Sequence, residues 1–89
     1  MVTSIILLNV HRHLINDIAQ QLTDMNEISE VFSVSGNYDL VAIVRVAAND
    51  DLATFVTDHL IKIDGIEKTE TMLAFKAYSR HDLESMFSI

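Results

Sequence analysis

Apolar residues along the chain follow two different spacings, and each change of spacing predicts a new element. Residues 4–10 are apolar on both alternating faces, which is typical of a β-strand covered on both sides. Residues 28–34 mix polar and apolar positions and predict a second strand at the edge of a sheet. Leu40–Val46 is again apolar on both faces except at Arg45, and residues 66–78 predict a long last strand.

Helical spacing appears twice between these strands. Apolar residues at i, i+3, i+4 and i+7 predict an amphipathic helix after the first strand, with Ile15, Ile18, Ala19 and Leu22 on its apolar face. The apolar stripe of a second helix consists of Leu52, Phe55, Val56, Leu60 and Ile63. Asn49, Asp50 and Asp51 predict its start, because short capping and acidic side chains favour the positive end of the helix dipole. Asp64 and Gly65 predict its end.

The resulting order is β-α-β-β-α-β, which predicts an α+β, ferredoxin-like fold with both helices on one face of an antiparallel sheet. The first and third strands are central in that fold, and these two runs are apolar on both faces. No further element of the chain remains to cover their second face. We therefore predict a symmetric dimer that packs sheet against sheet, a dimeric α/β-barrel.

The predicted domain is single and occupies residues 1–89, with its core at residues 3–78 and a tail at residues 79–89. A capping box predicts a short C-terminal helix in this tail. The capping-box residues are Ser79, Arg80, His81 and Asp82, and the apolar residues that follow are Leu83, Met86 and Phe87.

Composition narrows the function. The 89-residue chain has thirteen acidic and six basic residues, and hence a formal net charge of −7. A negative charge of this size repels the phosphates of nucleic acids. The absence of cysteine excludes disulfides and thiolate metal ligands. The first residues lack the pattern of a secretory signal, and no apolar run has membrane-spanning length. These features predict a cytoplasmic protein that does not bind DNA or membranes directly.

Motifs for catalysis or metal binding are not recognisable. The four histidines, at positions 11, 13, 59 and 81, lack the spacing of a closed metal site. The serines lie outside any nucleophile elbow, and no pair of carboxylates has a recognisable catalytic setting. We therefore expect no enzymatic activity, no metal and no cofactor.

A polar turn between the second and third strands is the best candidate for a small-ligand site. It consists of Ser35, Gly36, Asn37, Tyr38 and Asp39. Glycine reaches positive φ freely, which favours a β-hairpin here. Tyr38 adds a large amphipathic side chain beside free backbone donors, and Asp39 adds a carboxylate able to pair with an ammonium group. An ordinary hairpin explains the same residues. A second candidate is residues 68–71, where Thr69 and Thr71 point the same way, although threonine is common in strands.

Four segments of the chain resemble the effector-binding domain of the Lrp/AsnC regulators, also called the RAM domain. They are Ser-Gly-Asn-Tyr-Asp-Leu at 35–40, Val-Ala-Ile-Val-Arg-Val at 41–46, Leu-Ala-Thr-Phe-Val at 52–56 and Ile-Asp-Gly-Ile-Glu-Lys-Thr-Glu-Thr at 63–71. The resemblance covers residues 5–78. Its most specific parts are the Gly-x-Tyr-Asp turn and the entry to the last strand, where Gly-Ile is followed by Thr-x-Thr.

The resemblance implies a function in transcription regulation. RAM domains dimerise through their sheets, the dimers often assemble into octameric rings, and amino-acid effectors bind between dimers. By position, Ser35, Gly36, Asn37, Tyr38 and Asp39 are implied to line the effector cleft. Thr69 and Thr71 are implied to come from a neighbouring subunit and to hold the effector's α-amino and α-carboxylate groups.

The helix-turn-helix domain of these regulators has no counterpart in this sequence, which begins at the first RAM strand. We therefore expect a stand-alone form that acts through partners, such as full-length Lrp/AsnC paralogues, or by sequestering ligand. Two other hypotheses stay open. One is a small dimeric α/β-barrel enzyme of monooxygenase or isomerase type, with His11, His13 or His59 as proton carrier in a cavity inside the subunit. The other is a purely structural partner of full-length paralogues.

Overall fold

The computed structural model describes residues 1–78 and residue 80, and its element order is the predicted β-α-β-β-α-β. The elements are β1 (Val2–Val10), α1 (Ile15–Thr23), β2 (Ile28–Ser33), β3 (Leu40–Val46), α2 (Asn49–Thr54) and β4 (Ile66–Ala74). A 3-10 turn (Arg12–Leu14) precedes α1, and α2 continues through a π-helical turn (Phe55–His59) and a 3-10 turn (Leu60–Lys62). The C-terminal helix predicted within residues 79–89 lies outside the described residues, apart from Arg80.

The four strands form one antiparallel sheet in the order β2-β3-β1-β4. The ferredoxin-like prediction is confirmed, as are the central positions of β1 and β3 and the edge position of β2. The last strand is shorter than predicted, because β4 ends at Ala74 and not at residue 78. Ala74 pairs with Thr3 near the beginning of β1, so the residues that follow have almost no strand left to pair with.

One face of the sheet carries the hydrophobic core. Ile6, Leu8 and Val10 of β1 alternate toward this face and are buried. The helices supply the other half of the core through Ile18, Leu22, Phe55 and Leu60, all buried. Alternate residues of the strands therefore pack against the apolar stripes of the two helices, as the sequence predicts.

The second helix is irregular, and its π-helical turn has a packing reason. Phe55 and Leu60 are five residues apart, a spacing that separates two side chains onto different sides of a regular α-helix. Both are nevertheless buried in the core. The wider turn at Phe55–His59 brings residues at this spacing back toward one side.

The start of α2 is held differently from the prediction. Asn49 was expected to cap this helix, but it is the first helical residue, and Ala48 occupies the capping position. The carboxylate of Asp51 accepts a hydrogen bond from the Ala48 N–H at 3.1 Å. Asp51 thus satisfies a backbone donor at the helix start, which is half of a capping box.

The opposite face of the sheet, which we call the open face, is apolar at its centre. Ile5 of β1 pairs with Ile43 of β3, and Leu7 pairs with Val41, so that these four side chains lie side by side. They are half-buried in the single chain, and Phe32 and Met72 beside them are 48% and 42% exposed. The described elements of the chain leave this face without a helical cover.

Among the described residues, no helix is long and apolar enough to cross a bilayer.

Candidate functional site

The turn between β2 and β3 is exposed and has a defined shape. Asp39 accepts a hydrogen bond on its backbone oxygen from the Val34 N–H at 3.0 Å, which closes the loop. Gly36 lies at its tip with φ of 108°, a backbone conformation that L side chains rarely adopt. A Cβ at Gly36 would meet no heavy atom within 4 Å. Glycine is therefore required here by backbone conformation and not by crowding.

Backbone and side-chain hydrogen bonds together fix this turn to the end of β1. The Asp39 N–H donates to the Leu8 carbonyl at 2.9 Å, and the Asp39 Oδ2 accepts from the Val10 N–H at 3.0 Å. The Asn9 amide donates to the Asn37 carbonyl at 2.8 Å and lies 3.5 Å from Asp39 Oδ2. One oxygen of the Asp39 carboxylate is thus used within the fold. Asn9 was not among the predicted site residues, and its only signal in the sequence is a polar residue inside an apolar run.

Tyr38 reaches from the turn to the far edge strand. Its phenol O–H donates to the Glu70 Oε2 at 2.8 Å, across 32 positions of sequence. This hydrogen bond, with smaller contributions from desolvation and from the charge of Glu70, raises the pKa of Tyr38 above its ordinary value of 10.0. The phenol is therefore neutral and acts as a donor at physiological pH.

Strand register separates the predicted threonines from this contact. Thr69 pairs with Leu8 and Thr71 pairs with Ile6, both of which face the helices. Directly opposed residues of an antiparallel pair share a face, so the threonines lie on the helix side of β4. Glu70 pairs with Leu7 and lies on the open face. Within one chain the structure brings Tyr38 to Glu70 and not to Thr69 or Thr71.

Glu70 lies within the candidate stretch at residues 68–71, but the ligand contacts predicted there are those of Thr69 and Thr71 and not of Glu70. The signal was present in the alternation of residues 68–71, since a residue between two threonines on a strand must face the other way. The alternation does not predict which side chain lies next to Glu70 on that face. Only the strand order, with β1 between β3 and β4, carries the turn close enough for Tyr38 to contact β4.

His11, His13 and His59 are not among the residues whose side chains hydrogen-bond to this turn. His11 and His13 are exposed at the 3-10 turn after β1, with ring centroids 5.5 Å apart. His59 is exposed at the end of the π-helical turn. Residues 1–78 and 80 contain no group of three or more potential metal ligands. Four surface clefts in this part of the chain have no histidine among their lining residues.

Comparison with known sequences relates the whole described domain to one family. The family model for the Lrp/AsnC ligand binding domain matches residues 3–83. The transcriptional regulator FL11 of Pyrococcus furiosus is 31% identical over 77 residues, which are 86% of this chain and 50% of the regulator. YugG of Bacillus subtilis, also a helix-turn-helix-type transcriptional regulator by name, is 33% identical over 67 residues, or 75% of this chain and 40% of the regulator. The chain thus spans about half the length of the curated relatives it matches.

Solved structures show the same fold. TTHA0845 from Thermus thermophilus superposes with a TM-score of 0.83 at 36% identity, covering 90% of this chain and 100% of that one. The regulator NMB0573 of Neisseria meningitidis, solved as a complex with L-methionine, superposes with a TM-score of 0.81 at 16% identity. That match covers 89% of this chain and 53% of the regulator, and at this identity it shows the fold alone.

Proposed function

This chain belongs to the Lrp/AsnC ligand-binding domain family, and on that premise we propose that it is a cytoplasmic amino-acid-sensing and oligomerising module of transcription regulation. Its relatives are transcriptional regulators, which favours this hypothesis over the dimeric barrel enzyme. In the proposal the module has no enzymatic activity and no cofactor, and its residues do not touch DNA. Its net charge of −7 supports the last point. Contact with DNA would then come through partners such as full-length paralogues.

The observation that carries the proposal is the turn at residues 35–39. It is polar and largely exposed, and yet it is hydrogen-bonded to both β1 and β4. A loop that is already ordered does not have to be immobilised when it binds a ligand, so less affinity is lost. Ser35, Gly36, Asn37, Tyr38 and Asp39 are the proposed effector-binding residues of one subunit.

Thr69 and Thr71 complete the proposed site from another subunit. In one chain they lie on the helix side of β4, while Tyr38 contacts the open face. A ligand that touches both sets must therefore sit between chains. The L-methionine complex of NMB0573 supports an amino acid as the kind of ligand, because that regulator shares this fold.

The open face is the proposed dimer contact. Ile5, Leu7, Val41 and Ile43 form a continuous apolar surface flanked by Phe32 and Met72. Packing this surface against the same surface of a second copy would remove it from water. Each Å² of apolar area buried in this way stabilises the dimer by about 25 cal/mol. The dimers would then assemble further, into an octamer or a larger ring. Effector binding between dimers would favour the assembled state by mass action.

Calorimetry with the twenty standard amino acids, combined with sedimentation velocity, tests the proposal. We expect at least one amino acid to bind and to shift the assembly state. Tyr38→Ala should leave the dimer intact while weakening effector binding or higher assembly. His59→Ala is the matched control, since this exposed histidine lies on α2's continuation and served the enzyme hypothesis. If no amino acid binds or changes assembly, the sensor proposal is wrong.

A further inference from the structure

Glu70 places a negative charge beside the candidate site and holds it there. Its Oε2 accepts the Tyr38 hydroxyl at 2.8 Å, and its side chain is otherwise exposed at the edge of the open face. A carboxylate that is hydrogen-bonded to a neighbouring side chain samples fewer rotamers than a free one. The charge is therefore fixed close to the turn.

The charges around Tyr38 are unequal. Two carboxylates flank Tyr38 in sequence or by contact: Asp39 is the next residue in the chain and accepts from the Val10 N–H, and Glu70 accepts the Tyr38 hydroxyl. On β4, Lys68 lies two residues before Glu70 and pairs with Asn9 of β1. One ammonium group against two carboxylates leaves an excess of negative charge at this end of the sheet.

We propose that Glu70 selects the effector by charge, so that amino acids with amide or cationic side chains bind and those with acidic side chains are excluded. The proposal rests on the proposed function, because it concerns the same site. Two carboxylates repel each other more strongly as water between them is displaced. Rejection of one ligand by an uncompensated like charge is a common source of specificity.

Isosteric ligand pairs test this directly, since glutamine and glutamate, or asparagine and aspartate, differ in charge but hardly in shape. Calorimetry on the full chain should show that one amide binds about tenfold or more tightly than its acid. Glu70→Gln should reduce that difference to about threefold or less, with a smaller change in affinity for the amide. Glu67→Gln is the control, because it removes the same charge from the same strand without touching Tyr38.

The outcomes separate this inference from the function on which it rests. A difference between amide and acid that persists in Glu70→Gln would refute the charge selection and leave the sensor intact. So would an equal reduction in Glu67→Gln, which would point to overall charge. Binding of only apolar amino acids would also refute it. If no amino acid binds to the wild-type chain, the proposed function and the inference both fail.

Discussion

Two glycine turns share one backbone conformation and differ in everything around it. Gly36 has φ of 108° and Gly65 has φ of 99°. A Cβ at Gly36 would project into open space, whereas one at Gly65 would lie 2.7 Å from Leu14 Cδ1 and 3.0 Å from Ile18 Cδ1. The space around Gly36 is therefore open, whereas Gly65 is packed against the side chains of Leu14 and Ile18.

The two turns are also held by different interactions. The turn at Gly36 is held by backbone hydrogen bonds of Asp39 and, in addition, by polar side chains, namely Asn9, Asp39 and the Tyr38–Glu70 pair. At the other turn, the Gly65 carbonyl accepts a hydrogen bond from the His11 backbone N–H at 2.7 Å, and the side chains of Leu14 and Ile18 lie close to the Gly65 backbone. The turn at Gly36 presents polar groups at the surface, whereas the contacts around Gly65 are apolar packing, which tolerates little change in volume. We therefore expect substitution at Gly65 to disturb the packing of the core directly, whereas the proposed effector site lies at the turn that contains Gly36.

Gly65→Ala should have the largest effect on stability. Strain at positive φ and crowding against the ends of the Leu14 and Ile18 side chains together should lower the free energy of unfolding by about 2–4 kcal/mol. Urea unfolding at fixed chain concentration measures this. In the double variant with Leu14→Ala, the loss should be smaller than the sum of the two single losses, because the nearer of the two crowding side chains is shortened. Strict additivity would show that crowding is not the cause.

Asp39→Ala should have the second largest effect on stability. It removes the acceptor of the Val10 N–H, and Val10 is buried, so the donor loses its partner in a place with little water. We expect a loss of about 2–3 kcal/mol of unfolding free energy. Asp39→Asn keeps a side-chain oxygen at this position and should restore most of it. Equal losses in the two variants would mean that the charge, and not the hydrogen bond, holds the turn.

Gly36→Ala should cost less than either, about 1–2 kcal/mol, because only backbone strain opposes it. The same urea experiment measures the change, and comparison with Gly65→Ala isolates the contribution of crowding. A loss at Gly36 that equals the loss at Gly65 would contradict the distinction between an open and a packed turn.

The smallest effect concerns the ionisation of Tyr38. Below a pH of about 10 the phenol is neutral in both the folded and the unfolded chain, so its contribution to stability is fully present there. Because the folded pKa is raised, this contribution is lost only as the pH rises through that higher value. Ultraviolet titration of tyrosinate should show one group ionising later than an ordinary tyrosine, and Tyr38→Phe should remove it.

Glu70→Gln refines the same measurement. The hydrogen bond to the Glu70 carboxylate is the largest cause of the raised pKa of Tyr38, and this substitution removes that carboxylate. It also removes the negative charge that opposes the formation of tyrosinate. The late ionisation should then move back toward the ordinary range. A titration that Glu70→Gln leaves unchanged would indicate that the hydrogen bond does not persist in solution.

The sequence by itself determined the elements, their order and their faces. Periods of two and 3.6 are local properties, and they identified both central strands, the edge strand β2 and the glycine turn between β2 and β3. The same periodicity predicted an apolar open face, which the structure shows at Ile5, Leu7, Val41 and Ile43.

Only the tertiary structure decided which side chains meet across β1. Tyr38 and Glu70 are 32 positions apart, and Asn9 and Asp39 are 30 positions apart. Neither contact follows from a local period, because each depends on strand order and register together. The same holds for Gly65, whose close approach to Leu14 requires α1 to pack over the start of β4. Periodicity specifies the face on which a residue lies, and the assembled sheet specifies its neighbour there.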